Sequence, residues 1–406
     1  MRIWPRPTTR ALGLTALGVA LLALAWSTGQ QDLVWPGLFC IVLPLATLVL
    51  AWVTRPALRA TRDLAPEVTT VGESAWVNLV VRADRPLPGA SVIAHDEPGS
   101  LVGVAHSFRV DADRRGVRTE ARYAVRPRRR GRYTLDGLTY VAHDPLELWS
   151  SGHRVAAPAS LVVTPALHEL PPARLGAVGE IGETPLPRTA IIGPDDATVR
   201  EYHPGDEVRR IHWRSTARTG EIMVRREEAA WDPMAWLVLD NRAAHHAAVR
   251  GERPTFEWLV SVTASVGVRL LGDGFDVGLV DADGHASHAA GDLAVARARW
   301  LDPLVDIDVT DTPDLRRAAA DLSRRSEDRL LVAILAALDG PTAELLAGLD
   351  GARQRPVAFV LRPDAAARTA FDRARDLLAG HGWDVREMDP DADLAAVWLG
   401  VREVPA

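Results

Sequence analysis

The sequence predicts a multi-domain chain: an N-terminal transmembrane helical hairpin, a β-sandwich-like middle domain and a C-terminal doubly wound α/β domain. Three observations predict it. Two uncharged apolar stretches open the chain, short β-branched runs punctuated by Gly, Pro and Asp follow, and strand-like and helix-like periods alternate from about Trp231 onward. The expected boundaries are 8–53 for the hairpin, 63–165 for the sandwich, 166–230 for a linker with a dense polar block, and 231–401 for the α/β domain. A chain of 406 residues has room for two or three domains beyond single-core size.

The first apolar stretch runs from Ala11 to Trp26 and extends back to Thr8; the second runs from Leu33 to Val53. A helix crosses a bilayer with about 20 apolar residues, so the second qualifies and the first is slightly short. The connection, Ser27 to Asp32, allows only a tight reversal, which predicts antiparallel packing. Trp4, Trp26, Trp35 and Trp52 fall near the segment ends, where aromatic belts sit. Arg2, Arg6 and Arg10 precede the first segment, Arg55, Arg59 and Arg62 follow the second, and the turn holds Asp32 but no arginine. The positive-inside rule then predicts a two-pass plasma-membrane protein with both termini and the soluble domains in the cytoplasm, and with membrane lipid as the partner of residues 8–53. A cleaved signal peptide ending near Trp26 is the competing reading, and the small-residue cleavage pattern it needs is missing. Pro36 and Pro44 are tolerable kinks in a membrane helix. The single cysteine, Cys40, lies inside the second segment and rules out an internal disulfide.

From about Asp63 the runs Val68–Val71, Ala75–Arg82, Ser91–Ala94, Thr119–Val125, Gly137–Ala142 and Ser160–Thr164 read as short strands of an antiparallel sandwich. The basic run Arg126–Tyr133 has two readings, contact with anionic headgroups or acidic partners and a charged edge that blocks sheet association. Residues 169–196 are rich in Pro and Gly and predict an extended connection.

Residues 200–224 form the dense polar block. Pro204-Gly205-Asp206 is a turn sequence. Ile211 and Trp213 alternate with Arg210, His212 and Arg214, which predicts a short strand with one apolar and one cationic face. Residues 221–227 alternate similarly, so Gly220 is expected to close a hairpin. Four roles fit this block. It is an internal arginine–carboxylate network with Asp206 and Glu201, a docking surface built on Trp and Arg, an anion site of Arg200, Arg209, Arg214 and Arg218, or an acid–base pair of a hydrolase, Asp206 with His212. The hydrolase reading lacks a nucleophile motif, since Ser215 and Thr216 have no elbow around them, so no catalytic residue is assigned.

The C-terminal region reads as five strands, 235–240, 275–281, 330–335, 357–361 and 383–388. Helices are expected over 255–271, from about 342, and over 365–378, an order that predicts a mostly parallel sheet. Open sheets of this kind bind ligands at the carboxyl ends of their strands, which marks Asp240, Asn241 and Asp339 as the interaction rim. No Gly-rich phosphate loop follows a strand, which argues against nucleotide hydrolysis. The formal net charge of -6 argues against a dedicated nucleic-acid binder. The chain has no lysine, so all its permanent cations are the planar, multidentate guanidinium.

The residues Arg200, Glu201, Tyr202, Pro204, Gly205, Asp206, Arg209, Ile211 and Trp213, then Thr216-Ala217-Arg218-Thr219-Gly220, resemble the signature of the bacterial domain of unknown function 58 family. The segment from Arg130-Gly131-Arg132-Tyr133 to His143-Asp144-Pro145-Leu146 is similar to a second pattern of that family. The resemblance implies an interaction block of Arg200, Tyr202, Pro204, Gly205, Asp206, Arg209, Ile211, His212, Trp213, Thr216, Arg218 and Thr219. It implies a von Willebrand A-like domain at the C-terminus. It also implies a membrane-anchored adaptor working with a MoxR-type AAA+ ATPase and a transglutaminase-like membrane protein. Domains of that fold hold Mg²⁺ through Asp-x-Ser-x-Ser after the first strand. Here the equivalent positions are Asp240, Arg242 and Ala244, where an arginine and an alanine replace oxygen donors, so neither metal nor cofactor is expected.

Overall fold

The computed structural model describes residues 5–53, 57–84, 91–111, 118–172, 199–202, 211, 213–225, 234–249, 253–325, 329–349, 355–390 and 393–400. Arg55, within the expected flanking charges, Arg2 and Trp4 lie outside them. The chain divides into two compact units, Met1–Ala166 and Leu167–Ala406.

The first unit begins with β1 (Arg6–Pro7), α1 (Thr9–Thr28) and α2 (Val34–Val53). Both helices are long and apolar enough to cross a membrane. Thr8 caps α1 by accepting from the Ala11 amide, and Gly29 ends it in the left-handed region at φ 70°. The helices pack through small residues. A Cβ at Gly18 would stand 2.8 Å from the Gly37 carbonyl oxygen, and one at Gly37 would stand 2.9 Å from Leu22, so both glycines are needed for the close approach. Leu12, Leu17, Phe39, Val42, Leu45 and Val49 remain exposed on the outer faces.

The sandwich follows as β2 (Leu58–Ala65), β3 (Val68–Thr70), β4 (Ala75–Ala83), β5 (Ser91–Asp96), β6 (His106–Val110), β7 (Arg118–Val125), β8 (Gly131–Leu135), β9 (Thr139–His143), β10 (Trp149–Arg154) and β11 (Ala159–Thr164). Among the described residues they form sheets ordered β2-β4-β7, β1-β10-β9-β5-β6 and β3-β11-β8. Period-two alternation explains the layering. In β4 the inward residues Ala75, Val77, Leu79, Val81 and Ala83 are fully buried while Trp76 and Arg82 face out. The pairing is antiparallel except for β3 with β11, which run parallel. The strands β2, β6, β8 and β10 were not among the runs read from the sequence.

One expected flanking charge has a different place. Arg62 is fully buried, donates to the Leu135 and Ala157 carbonyls and forms an ion pair with Asp96, whose other oxygen accepts from Tyr123. Burial, and then the hydrogen bond to Asp96, pushes the Tyr123 phenol well above its ordinary value. Arg62 is therefore a core residue of the sandwich rather than a charge at the membrane surface. The hairpin is tied to this domain at its open end. The Thr8 amide donates to the Leu148 carbonyl at 2.9 Å, the Thr8 hydroxyl to the Glu147 carbonyl at 2.8 Å, and the Trp149 indole N–H to the Pro44 carbonyl at 2.8 Å.

The second unit holds β12 (Val199–Glu201), α3 (Trp213–Thr219), β13 (Met223–Arg225), β14 (Met234–Leu239), α4 (Pro254–Gly272), β15 (Asp276–Asp281), β16 (Ala286–Ala289), α5 (Leu293–Asp306) and α6 (Arg316–Ser323). It continues with β17 (Arg329–Leu335), α7 (Gly340–Ala347), β18 (Val357–Leu361), α8 (Arg368–Gly380), β19 (Asp384–Met388) and α9 (Leu394–Leu399). The main sheet is ordered β16-β15-β14-β17-β18-β19, parallel throughout except for the antiparallel edge strand β16. Helices cover both faces. Ala235, Leu237 and Leu239 of β14 pack with α4, with Trp300 of α5 and with Trp398 of α9. Trp236 and Val238 pack with Leu322 of α6, Leu346 of α7 and Phe371 of α8. Both-sided burial is why β14, β17 and β18 read as unbroken apolar runs. Leu170 joins the first of these cores, and the Pro171 carbonyl accepts from the Trp398 indole at 2.8 Å.

Candidate functional site

Two regions of the second unit carry the functional positions read from the sequence. The first is the carboxyl end of the sheet. Strand order reverses beside β14, between β15 and β17, which places a crevice where β14 ends. Asp240 stands there with a fully buried side chain. The backbone turns back on itself after it, so Arg242 lies beside Asp240 in a two-pronged pair. Its Nε donates to Oδ1 at 2.8 Å and its second terminal nitrogen to Oδ2 at 3.0 Å. The Arg242 amide donates to Oδ1 at 3.2 Å and the Ala336 amide to Oδ2 at 3.2 Å. Four donors occupy a carboxylate that has about four acceptor positions. Burial opposes the Arg242 charge, yet the hydrogen bonds and charge of Asp240, with Asp339 and Asp314 beyond, hold the guanidinium above its ordinary value.

The surrounding groups pin this pair. Arg242 also donates to the Thr342 hydroxyl at 3.3 Å. Asp339 caps α7 by accepting from the Thr342 amide at 2.9 Å. Burial raises the Asp339 carboxyl, but the Thr342 hydroxyl and amide and then Arg242 outweigh it and leave the group below its ordinary value. Asn241 accepts from the Ala282 amide and donates to the Asp308 carbonyl, both at 2.9 Å. His246 Nε2 meets the Asp240 carbonyl at 2.9 Å; a carbonyl only accepts, so the proton sits on Nε2. Burial holds His245 and His246 below the ordinary histidine value, and Arg242 adds to the effect at His245. Ala244 sits in the short turn Ala243–His245 and carries no side-chain oxygen.

Beside this pair is a group the sequence reading did not single out. Asp281, Asp283 and His285 have ligand atoms within 4.8 Å of one another and form the candidate cation group among the described residues. Their signal is the alternation Asp-x-Asp-x-His at the end of β15. Asp283 is already engaged by the Thr312 hydroxyl and by Arg317 at 3.3 Å. Hydrogen bonds from Thr312 and Thr310 keep its carboxyl below the ordinary value.

The second region is the polar block. β12 pairs antiparallel with β13, Arg200 opposite Val224 and Glu201 opposite Met223, and Ile211 bridges to Val224. Where a strand is expected across Arg210–Arg214, the described residues show a bridge at Ile211 and a helix beginning at Trp213. Its stop explains it. Gly220 takes φ 80° and its amide closes onto the Thr216 carbonyl at 2.9 Å. Gly220 thus ends α3 rather than closing a hairpin, and β13 takes β12 as its partner. Thr216 accepts from the Met223 amide at 3.0 Å and so ties the helix to β13, while Thr219 donates to the Ser215 carbonyl at 3.0 Å within the helix. Tyr202 is half-buried, and its amide donates to the Ile222 carbonyl at 2.8 Å. Trp213 is 68% exposed, and Ile222 and Arg218 are also exposed. Pro204, Gly205, Asp206, Arg209 and His212 lie outside the described residues, as does the side chain of Arg200.

The fold and the two regions define a chain with an apolar helical hairpin, a β domain and an open α/β domain whose first-strand carboxylate is held by arginine. Residues 198–356 match the family described as "Protein of unknown function DUF58". A relative in Bacillus subtilis strain 168, described as "Uncharacterized protein YeaD", is 29% identical over 120 residues. The match covers 27% of this chain, and the chain spans only 28% of the length of that curated relative. Among solved structures, the CARDB domain of a Pyrococcus furiosus protein in complex with di-metal ions is 12% identical, with 27% of this chain and 93% of that one covered and a TM-score of 0.19. The alkylpurine DNA glycosylase AlkC of Pseudomonas fluorescens, bound to DNA with an abasic-site analog, is 15% identical, with 36% and 46% covered and a TM-score of 0.16. At these TM-scores neither bears on the architecture or chemistry of this chain.

Proposed function

We propose that this protein is a membrane-anchored cytoplasmic adaptor that docks a MoxR-type AAA+ ATPase or an envelope-related client through α3 and the carboxyl rim of its α/β domain. The observation that carries the reading is Trp213, 68% exposed at the head of a helix that also presents Arg218. A large aromatic left in water beside arginine is the composition of interface hot spots. A docking role also accounts for threonines spent on fixing that helix rather than on chemistry. The α/β domain is read as von Willebrand A-like, supported by its strand order and single antiparallel edge strand. Its usual metal position is then filled by the Arg242 guanidinium, so its rim serves contact without an ion. The cytoplasmic orientation rests on the arginines that flank α1 and α2, and a transglutaminase-like membrane protein is the proposed neighbour in the bilayer.

The test is a tagged pull-down from native membranes, comparing wild type with Trp213→Ala and Arg218→Ala and identifying the retained proteins by mass spectrometry. An AAA+ ATPase retained by the wild type and lost from inserted, folded variants supports docking. Identical partner sets would return the block to an internal network.

A further inference from the structure

The sandwich carries a feature that its own stability does not explain. Registers β2–β4 and β4–β7 put Arg59 opposite Arg82 and Arg82 opposite Arg118. Three arginines thus stand side by side across three strands, all on the exposed face. Like charges directly opposite in a sheet are destabilising. Only Arg59 has a carboxylate partner here, Asp84 at 2.6 Å; among the described residues no carboxylate pairs with Arg82 or Arg118. The next row inward, Thr61, Val80 and Glu120, brings one acid.

The position of the row gives it a partner. It lies at the end of the sheet where the chain enters β2 from α2, and residues 54–57 alone separate Val53 from Leu58. A stretch of that length spans at most about 18 Å. The same unit is tied to the open end of the hairpin by Thr8, Arg10 and Trp149, with Arg10 2.5 Å from Glu147. A headgroup layer is about 5–7 Å deep on each side of the hydrocarbon core. Guanidinium pairs phosphate in two-pronged geometry.

We infer that Arg59, Arg82 and Arg118 form a contact surface for the phosphates of anionic phospholipids, holding the sandwich against the leaflet from which α2 emerges. The inference rests on the reading of α1 and α2 as a membrane hairpin.

The test uses the full chain with Cys40→Ala and Thr61→Cys, the latter on the same outer face, labelled with an environment-sensitive fluorophore. The protein is placed in phosphatidylcholine nanodiscs with increasing phosphatidylglycerol. The expected result is a saturable spectral shift with phosphatidylglycerol that high salt reverses. Arg82→Gln with Arg118→Gln raises the midpoint by about fivefold per arginine removed, while the paired lysine variants retain most of the response. Both glutamine changes are at exposed positions, and a thermal midpoint in phosphatidylcholine no lower than that of the wild type verifies folding. Equal response in the glutamine pair, or no response to phosphatidylglycerol, overturns the inference and leaves the hairpin reading intact. A full shift from soluble glycerol phosphate in phosphatidylcholine discs overturns it in favour of a soluble anion. Failure to incorporate into nanodiscs overturns the hairpin reading and the inference together.

Discussion

Arg242 grips Asp240 from two residues away, Nε to Oδ1 at 2.8 Å and the second terminal nitrogen to Oδ2 at 3.0 Å, both side chains almost wholly buried. A charge pair removed from water survives only when both partners are satisfied. Arg242→Ala strands a buried carboxylate and is expected to cost about 3–5 kcal/mol, read as a lower urea midpoint of the second unit. Joint replacement, Asp240→Asn with Arg242→Met, is expected to cost clearly less.

The same geometry makes a statement about cations. Arg242→Ser frees the acceptors of Asp240 and supplies an oxygen two residues on, which suits a hard ion. The serine variant is expected to gain thermal stability in millimolar magnesium chloride relative to potassium chloride at equal ionic strength. The wild type, with the Asp240 acceptors filled by Arg242 and Ala336, is expected to gain less.

His168, His245 and His246 are each held below the ordinary value of 6.5, chiefly by burial. A histidine whose folded value is depressed favours the neutral form in the native state. The unfolded chain therefore binds protons first as pH falls. Stability is fully present above about 6.5 and declines as pH drops from there toward the depressed folded values, below which the loss stops growing. Urea titrations monitored by tryptophan fluorescence at pH 7.5 and pH 5.5 are expected to show the loss, and His245→Gln with His246→Gln to reduce it.

Gly267 lies under Trp300, where an added Cβ would fall 2.0 Å from a ring atom. Trp300 is held by its indole bond to the Ala264 carbonyl at 3.1 Å and has no free direction to yield. Gly267→Ala is expected to destabilise by about 1–3 kcal/mol through overpacking, against the usual gain from replacing a helical glycine. A thermal melt checks the sign.

Trp149→Phe keeps an aromatic ring, though a smaller one, and removes the indole N–H that reaches the Pro44 carbonyl. A loss of about 0.5–1.5 kcal/mol is expected, read as a lower melting temperature of the full chain in micelles.

What the sequence made legible follows from periodicity. The apolar hairpin, β4 and the doubly buried β14, β17 and β18 have side chains that match their surroundings, so their patterns are clean. β2 stayed hidden because Arg62 occupies a core-facing slot in its alternation, and only the three-dimensional partner Asp96 makes that slot tolerable. β10, Trp149-Ser-Ser-Gly-His-Arg154, is polar along its length and owes its place to pairing with β9 and β1. In the polar block, the spacing of Ile211 and Trp213 mimicked a strand because seven helical residues are too few to display a 3.6 period. Asp240 and Arg242 were visible as residues, whereas their mutual closure depends on the backbone turn pinned by Asn241 and Thr310.

The docking reading is tested most directly at Trp213 itself. A photo-crosslinking amino acid placed at that position in native cells, followed by identification of the adduct, reports what touches this exposed side chain. The account predicts a crosslink to an AAA+ ATPase or an envelope protein that is absent when the probe sits at the buried Val224. Crosslinks confined to this chain itself, in protein that is inserted and folded, would contradict it.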